Sequence, residues 1–200
     1  MSSRTATVER STKETEIALS LGLDGSGGGE IETGIPFFDH MLDLFARHGL
    51  FDLKVRACGD REVDLHHTVE DVGICLGQAL EKALGDKRGI RRYGFALIPM
   101  DEALAQAAID LSGRPFFALS TPGLPPLSLL YAGSFSAQLL EEFLRALTVH
   151  GMLTLHLEIR SGKDPHHLLE ASFKGVARAL AMSVEKDGRV VDVPSTKGIL

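Results

Sequence analysis

Only two cysteines, Cys58 and Cys75, occur in the 200 residues, and they have no CxxC spacing. That excludes a disulfide framework and fits a reducing compartment, so a cytoplasmic location is expected. No apolar run approaches the ~18 residues of a membrane span. The opening stretch, MSSRTATVERSTKETE, is polar and lacks the apolar core of a secretory signal. Positive charge is also short: 21 Lys and Arg stand against 27 Asp and Glu, a net charge of −6. Neither nucleic acid nor an anionic membrane is therefore an expected partner, and an anionic substrate needs local Lys and Arg contacts. Three glycines run from 27 to 29, but no GKS or GKT follows, which sets aside a phosphate-loop reading. The remainder, 44% hydrophobic and 24% charged, is that of an ordinary globular chain.

What is present is a pentad, His-His-x-x-Glu, that occurs twice. It stands at His66-His67-Thr68-Val69-Glu70 and again 100 residues later at His166-His167-Leu168-Leu169-Glu170. Imidazole with carboxylate is a ligand set for Zn, Mn, Fe or Ni. On a helix His66 and Glu70, at i and i+4, share a face. His67 lies about 100° further round and serves a neighbouring face or a second metal. An Asp stands two positions before each pentad (Asp64, Asp164), as a cap or as a partner that orients an imidazole. Asp164-Pro165 carries the cap-then-Pro signature.

The surrounding pattern repeats too. In the first half, residues 4–10 and 15–21 alternate as strands of a hairpin. A helix runs from 36 to about 47 and ends at His48-Gly49, a strand covers 51–57, and the pentad helix runs to about 84. In the second half, strands fall at 93–98 and 103–111, with 116–119 continuing or adding one. A Pro-rich loop covers 121–126, a helix about 136–149 ends at His150-Gly151, a strand covers 153–159, and the second pentad helix runs to about 184. The pattern predicts an α+β fold of two duplicated β-β-α-β-α halves. Each is a small sheet with helices on one face, and the halves pack through the helices. The expected units are 1–92, 93–193 and a tail at 194–200. His40 lies eight residues before His48, and its counterpart eight before His150 is Glu142. Eight ligands shared between two metals gives four each.

Several other residues carry blander readings. His48 and His150, at helix ends where the dipole favours imidazolium, read as structural. His156 reads as packed or exposed in its strand. Cys58 and Cys75 read as small packing residues.

Ten ordered blocks resemble the imidazoleglycerol-phosphate dehydratase family of histidine biosynthesis: ERSTKETEI (9–17), LDG (23–25), TGIPFFDHML (33–42), HGLFDLKVRACGD (48–60), DLHHTVEDV (64–72), LGDKRGIRRYG (84–94), PMDEAL (99–104), DLSGRP (110–115), DPHHLLEASFKG (164–175) and PSTKG (194–198). The resemblance implies conversion of D-erythro-imidazole glycerol phosphate to imidazole acetol phosphate. It further implies two Mn(II) ions per site, other divalent metals being possible, and a 24-mer built from trimers with sites at subunit interfaces. Its metal ligands fall on His40, His66, His67, Glu70, His166, His167 and Glu170. At Glu142 the family usually has His. Pseudo-symmetry suggests one metal on His66, Glu70, Glu142 and His167, and the other on His67, His40, His166 and Glu170. Phosphate contacts carry over to Arg92, Arg114, Ser195 and Lys197, with Lys174 a weaker candidate. Catalytic roles fall on Glu14, His66 and Glu170, Glu14 being the acid/base group. The expected chemistry is a metal-stabilised imidazolate that expels the neighbouring hydroxyl. Two rival classes are a metal-dependent hydrolase and a metal-storage shell without turnover.

Overall fold

The computed structural model describes residues 4–200 and lays the two half-chains out alike. The first half runs β1 (Thr5–Ser11), β2 (Thr15–Gly22), β3 (Gly29–Glu32), α1 (Pro36–Gly49), β4 (Asp52–Gly59) and α2 (His66–Leu84). The second runs β5 (Tyr93–Met100), β6 (Ala103–Asp110), β7 (Phe116–Ser120), β8 (Tyr131–Ala132), β9 (Phe135–Ser136), α3 (Gln138–His150), β10 (Thr154–Ser161) and α4 (Pro165–Val184). The sheets have matching orders, β1-β2-β4-β3 and β5-β6-β10-β7, with the last strand of each parallel to its neighbour. The duplication seen in the pentads is therefore a duplication of topology.

Alternation fixes the inward faces. Ile17, Leu19 and Leu21 of β2 and Leu53, Val55 and Ala57 of β4 are buried, while Ala18, Lys54 and Arg56 between them are exposed. Each sheet buries that face under its own helices, and the helices of the two halves then pack on each other, α2 on α3 and α1 on α4. Gly73 and Gly77 permit the first contact. A Cβ at Gly73 would stand 2.7 Å from the Phe143 carbonyl oxygen, and one at Gly77 2.7 Å from that of Leu147. Between the pairs sits an aromatic cluster. Phe143 of α3 lies edge-on to Phe38 of α1 at 5.4 Å and stacks with Phe173 of α4 at 5.4 Å.

The helix starts follow from local chemistry. Pro36 and Pro165 open α1 and α4, where a missing N–H costs nothing. Asp164 accepts from the His166 N–H at 2.8 Å, and Asp64 from the His66 N–H at the same distance. The glycine turn after β2 folds around an acid: the Asp52 carboxylate accepts from the amides of Ser26 (2.9 Å) and Gly28 (3.3 Å). A carboxylate of the chain thus takes amides that a phosphate loop would offer to its ligand.

The structure departs from the sequence pattern at particular places. The first half is β-β-β-α-β-α, because β3 is a strand, and the second follows the same order with β7 in that place and a short β8–β9 hairpin added before α3. Strand β3 has four residues, of which only Ile31 is partly buried, so it carries no alternation to read. Helix α3 begins at Gln138 because Phe135 and Ser136 pair with Ala132 and Tyr131. Cys58 is exposed on β4 rather than packed, whereas Cys75 is buried, and burial pushes its thiol up to about 11. His48 is not favoured as imidazolium: burial pushes its pKa down, and the charges of Lys174 and Arg178 add to that. His156 is exposed beside the Phe116 ring, 5.7 Å away.

Phe143→Ala removes the ring that joins three helices. We expect a loss of about 3–5 kcal/mol in equilibrium denaturation, and a loss under about 1 kcal/mol would mean the cluster does not hold the halves together.

Candidate active site

The α1–α4 contact creates one convergent cluster. His40 comes from the second turn of α1, and His166 and Glu170 from the first turns of α4. Their ligand atoms all lie within 4.8 Å of one another, the one such triad among the described residues. Glu170 Oε2 is 3.2 Å from His166 Nε2 and 3.8 Å from His40 Nε2. Its other oxygen accepts from the Lys174 ammonium one turn further on. Burial pushes the Glu170 carboxyl up, but the hydrogen bond and charge of Lys174, with His166, outweigh it and hold it below the ordinary range. The site thus presents a carboxylate with one oxygen anchored and one aimed at two imidazoles. This nitrogen–oxygen donor set, without thiolate, fits a divalent cation such as Mn, Fe or Zn.

The first pentad is less complete. His66 Nε2 and Glu70 Oε2 lie 3.7 Å apart on one face of α2. Glu142, half-buried on α3, does not join them within coordinating reach. The second histidines turn elsewhere, as a 100° step along a helix requires. His67 Nδ1 faces Asp60 at 3.0 Å and Glu14 at 3.9 Å. His167 Nδ1 faces Glu102 at 2.8 Å. The two four-ligand sets are therefore not assembled within one chain: three of the second set meet, and only two of the first. The layering, α2 beside α3 and α4 beside α1, keeps His67 from the triad and His167 from His66 and Glu70.

Asp60 and Glu102, which face the candidate ligands His67 and His167, are residues that motif reading did not single out. The bond to Asp60 raises the His67 pKa, and the bond to Glu102 raises that of His167. The amide of Asp164, then His167 and the amide of Lys163, hold the Glu102 carboxyl down to about 2. The available signal was the equivalence of Glu14 and Glu102, each the residue before the second strand of its half.

Arg92, Arg114, Ser195 and Lys197 do come together. With Tyr93 and Thr196 they line a cavity of about 640 Å³. Arg92 is already committed. Its guanidinium makes a bidentate pair with Asp110 (2.7 and 3.1 Å), donates to the Pro194 carbonyl (2.8 Å) and lies over the Tyr93 ring. The Arg114 guanidinium donates to the Ser112 carbonyl, at 3.4 Å, and neither it nor the Lys197 ammonium has a carboxylate partner among the described residues. These two carry the charge that is free for an anion. Lys174 is not in this pocket, being bound to Glu170.

The triad and the pocket lie far apart in one chain. The pocket sits where β5 begins and β6 ends, and Glu102, beside His167, is on the turn at the other end of that hairpin. Eight residues of strand span about 26 Å. Helix α4 gives the same measure: His166 is at its start, and the Ser183 carbonyl, 17 residues on, accepts from the Arg92 N–H, about 25 Å away.

Fold and site together define a class: a duplicated α+β protein with imidazole–carboxylate groups at the starts of paired helices and a basic pocket a strand's length away. The family model for imidazoleglycerol-phosphate dehydratase matches residues 33–180. A curated imidazoleglycerol-phosphate dehydratase of Acidiphilium cryptum is 56% identical over 199 residues, covering 99% of this chain and 100% of its own. That of Moorella thermoacetica is 57% identical over 198 residues, covering 99% of each. The Staphylococcus aureus enzyme structure superposes with a TM-score of 0.80 at 36% identity, covering 92% of this chain and 99% of its own. The Pyrococcus furiosus structure, in complex with (S)-C348, gives 0.81 at 35%, covering 96% and 100%. The chain belongs to the imidazoleglycerol-phosphate dehydratase family and is a hydro-lyase.

Removing one unpaired charge should weaken anion binding. Arg114→Ala and Lys197→Ala should each reduce affinity for inorganic phosphate roughly tenfold or more, the worth of a charge-assisted hydrogen bond. Titration calorimetry reads this directly, and unchanged affinity in both variants would put the anion elsewhere.

Proposed function

We propose that this chain dehydrates D-erythro-imidazole glycerol phosphate to imidazole acetol phosphate, a step of histidine biosynthesis, in sites built from more than one copy. The separation of about 25 Å between triad and anion pocket carries the composite site. A three-carbon phosphate ester is far too short to reach both in one chain. Its ring then lies at the triad of one copy and its phosphate at Arg114 and Lys197 of another.

His40, His166 and Glu170 would hold one divalent ion, manganese(II) being our assignment. His66 and Glu70 would begin the second site, with Glu142 and His167 drawn in across copies, and His67 of another copy would complete the first. A bound ion supplies Lewis acidity toward the imidazole ring. The chain's own groups do the rest. Arg114 and Lys197 bind the phosphate dianion, while Arg92, clamped to Asp110, anchors the segment that carries Ser195 and Lys197. Glu14 takes the proton from the carbon next to the one that bears the ring. Its carboxylate is half-exposed on the β1–β2 turn, 3.9 Å from His67 Nδ1, and is free to reach a substrate. The hydroxyl on the ring-bearing carbon leaves with a proton as water, that proton balancing the one taken from the neighbouring carbon, and the resulting enol becomes the ketone.

The assembly we assign is the 24-mer of trimers. Supporting self-association, edge strand β5 exposes Tyr93, Phe95 and Leu97 in a row along the outer face of its sheet. A cytosolic location fits the two free cysteines, and among the described residues no helix is long and apolar enough to cross a membrane.

Turnover of imidazole glycerol phosphate by Mn-loaded and chelated protein tests the reading. We expect ketone formation that chelation abolishes, with no release of inorganic phosphate. Phosphate release would favour a hydrolase, and metal binding without turnover would favour storage. Glu14→Gln should lower kcat by about 10²–10⁴-fold with metals still bound, and near-normal turnover would remove Glu14 from the mechanism.

A further inference from the structure

The duplication places two glutamates in equivalent positions and gives them different work. Glu14 is the last residue before β2, and Glu102 the last before β6. Each faces Nδ1 of the second histidine of its own half's pentad. In the second half Glu102 does everything. One oxygen accepts from the backbone N–H groups of Lys163 (3.0 Å) and Asp164 (2.8 Å), and the other meets His167 Nδ1 at 2.8 Å. In the first half these tasks are divided. The loop before α2 is tied by backbone, with the Asp60 N–H donating to the Glu14 carbonyl at 3.1 Å. Asp60 then holds His67 Nδ1 itself, at 3.0 and 3.1 Å. The first turn covers residues 12–14 and the second only 101–102, so the first is one residue longer. That extra residue lets the Glu14 backbone make the tie and leaves its side chain 55% exposed, against 38% for Glu102.

An imidazole whose Nδ1–H is held by a carboxylate has its tautomer and ring plane fixed, and Nε2 is the atom left to bind a ligand. At His167, Nε2 is 3.7 Å from the exposed Asp101 carboxylate, beyond hydrogen-bond distance. We propose that Glu102 and Asp60 are positioning residues that orient His167 and His67 through Nδ1 so that Nε2 faces a metal, and that Asp60, by taking this work in the first half, releases Glu14 to act on substrate. The inference rests on the reading of His67 and His167 as metal ligands and of Glu14 as the base.

Manganese titration of the assembled protein, with free Mn(II) read by its electron paramagnetic resonance signal, tests it alongside steady-state kinetics. Glu102→Gln keeps a carbonyl for the Lys163 and Asp164 amides, so the loop stays tied, but it sets an amide against Nδ1. We expect Mn affinity at one class of site to fall about 10–100-fold, with kcat recovered at saturating Mn. Glu102→Asp should give an intermediate affinity. Asp60→Asn should weaken Mn binding in the same way, whereas Glu14→Gln should leave Mn affinity unchanged and lose turnover. Wild-type Mn affinity in both Glu102→Gln and Asp60→Asn would overturn the proposal. So would a lost kcat in Glu102→Gln at full Mn occupancy, which would make Glu102 a catalytic residue like Glu14. A wild-type protein that bound no Mn would overturn the metal-centre reading and this proposal together.

Discussion

Helix α1 of the first half lies against α4 of the second, with Phe38 and Phe173 packed between them at 6.4 Å. His40 sits on one of these helices and His166 and Glu170 on the other, so the triad exists only while the halves are docked. The same docking sets α2 on α3 through Gly73 and Gly77, whose missing side chains bring the backbones into contact. The half-chains are thus joined by an apolar core whose ends carry polar chemistry. Stability and site geometry are coupled through one interface.

Charge is distributed with similar economy. The net charge is −6, yet the pocket at the start of β5 is basic, because Asp110 neutralises Arg92 and leaves Arg114 and Lys197 unpaired. Arg92 is thereby a structural cation that fixes the tail, while the other two remain free for a dianion. At the opposite end of the hairpin the logic is inverted. The Glu102 carboxylate there holds His167 by Nδ1 at 2.8 Å, while Nε2 stands 3.7 Å from Asp101. A cationic pocket and an imidazole–carboxylate centre thus lie a strand's length apart, the separation from which we propose a site shared between copies.

Much of this was legible in the chain. Period-two alternation located β2, β4 and β10, helical periodicity with Pro and His-Gly marks bounded α1, α3 and α4, and the repeated pentad exposed the duplication. Strand β3 was not legible, because four mostly exposed residues at a sheet edge have no pattern. The gathering of Arg92, Arg114, Ser195 and Lys197 followed from resemblance, since the two arginines stand 81 to 105 positions before Ser195 and Lys197 and such spacing announces no contact. The partition of ligands was beyond reach for a physical reason. Consecutive histidines diverge by about 100° on a helix, so spacing alone does not say which neighbour each one meets. Asp60 and Glu102 escaped notice because their role depends on turn register and on one extra residue in the first turn.

The claim on which the account turns is that a working site takes its triad from one copy and its anion pocket from another. The most direct measurement co-assembles two variants, Glu170→Gln and the double variant Arg114→Ala/Lys197→Ala, each first shown to be inactive alone at the substrate concentration used, by mixing them under conditions that dissociate and rebuild the assembly. The account predicts that activity returns in the mixture, to about a quarter of the wild-type value for random incorporation into a closed symmetric assembly. Mixed assemblies as inactive as either parent would contradict it, and would require both halves of the site to come from a single chain.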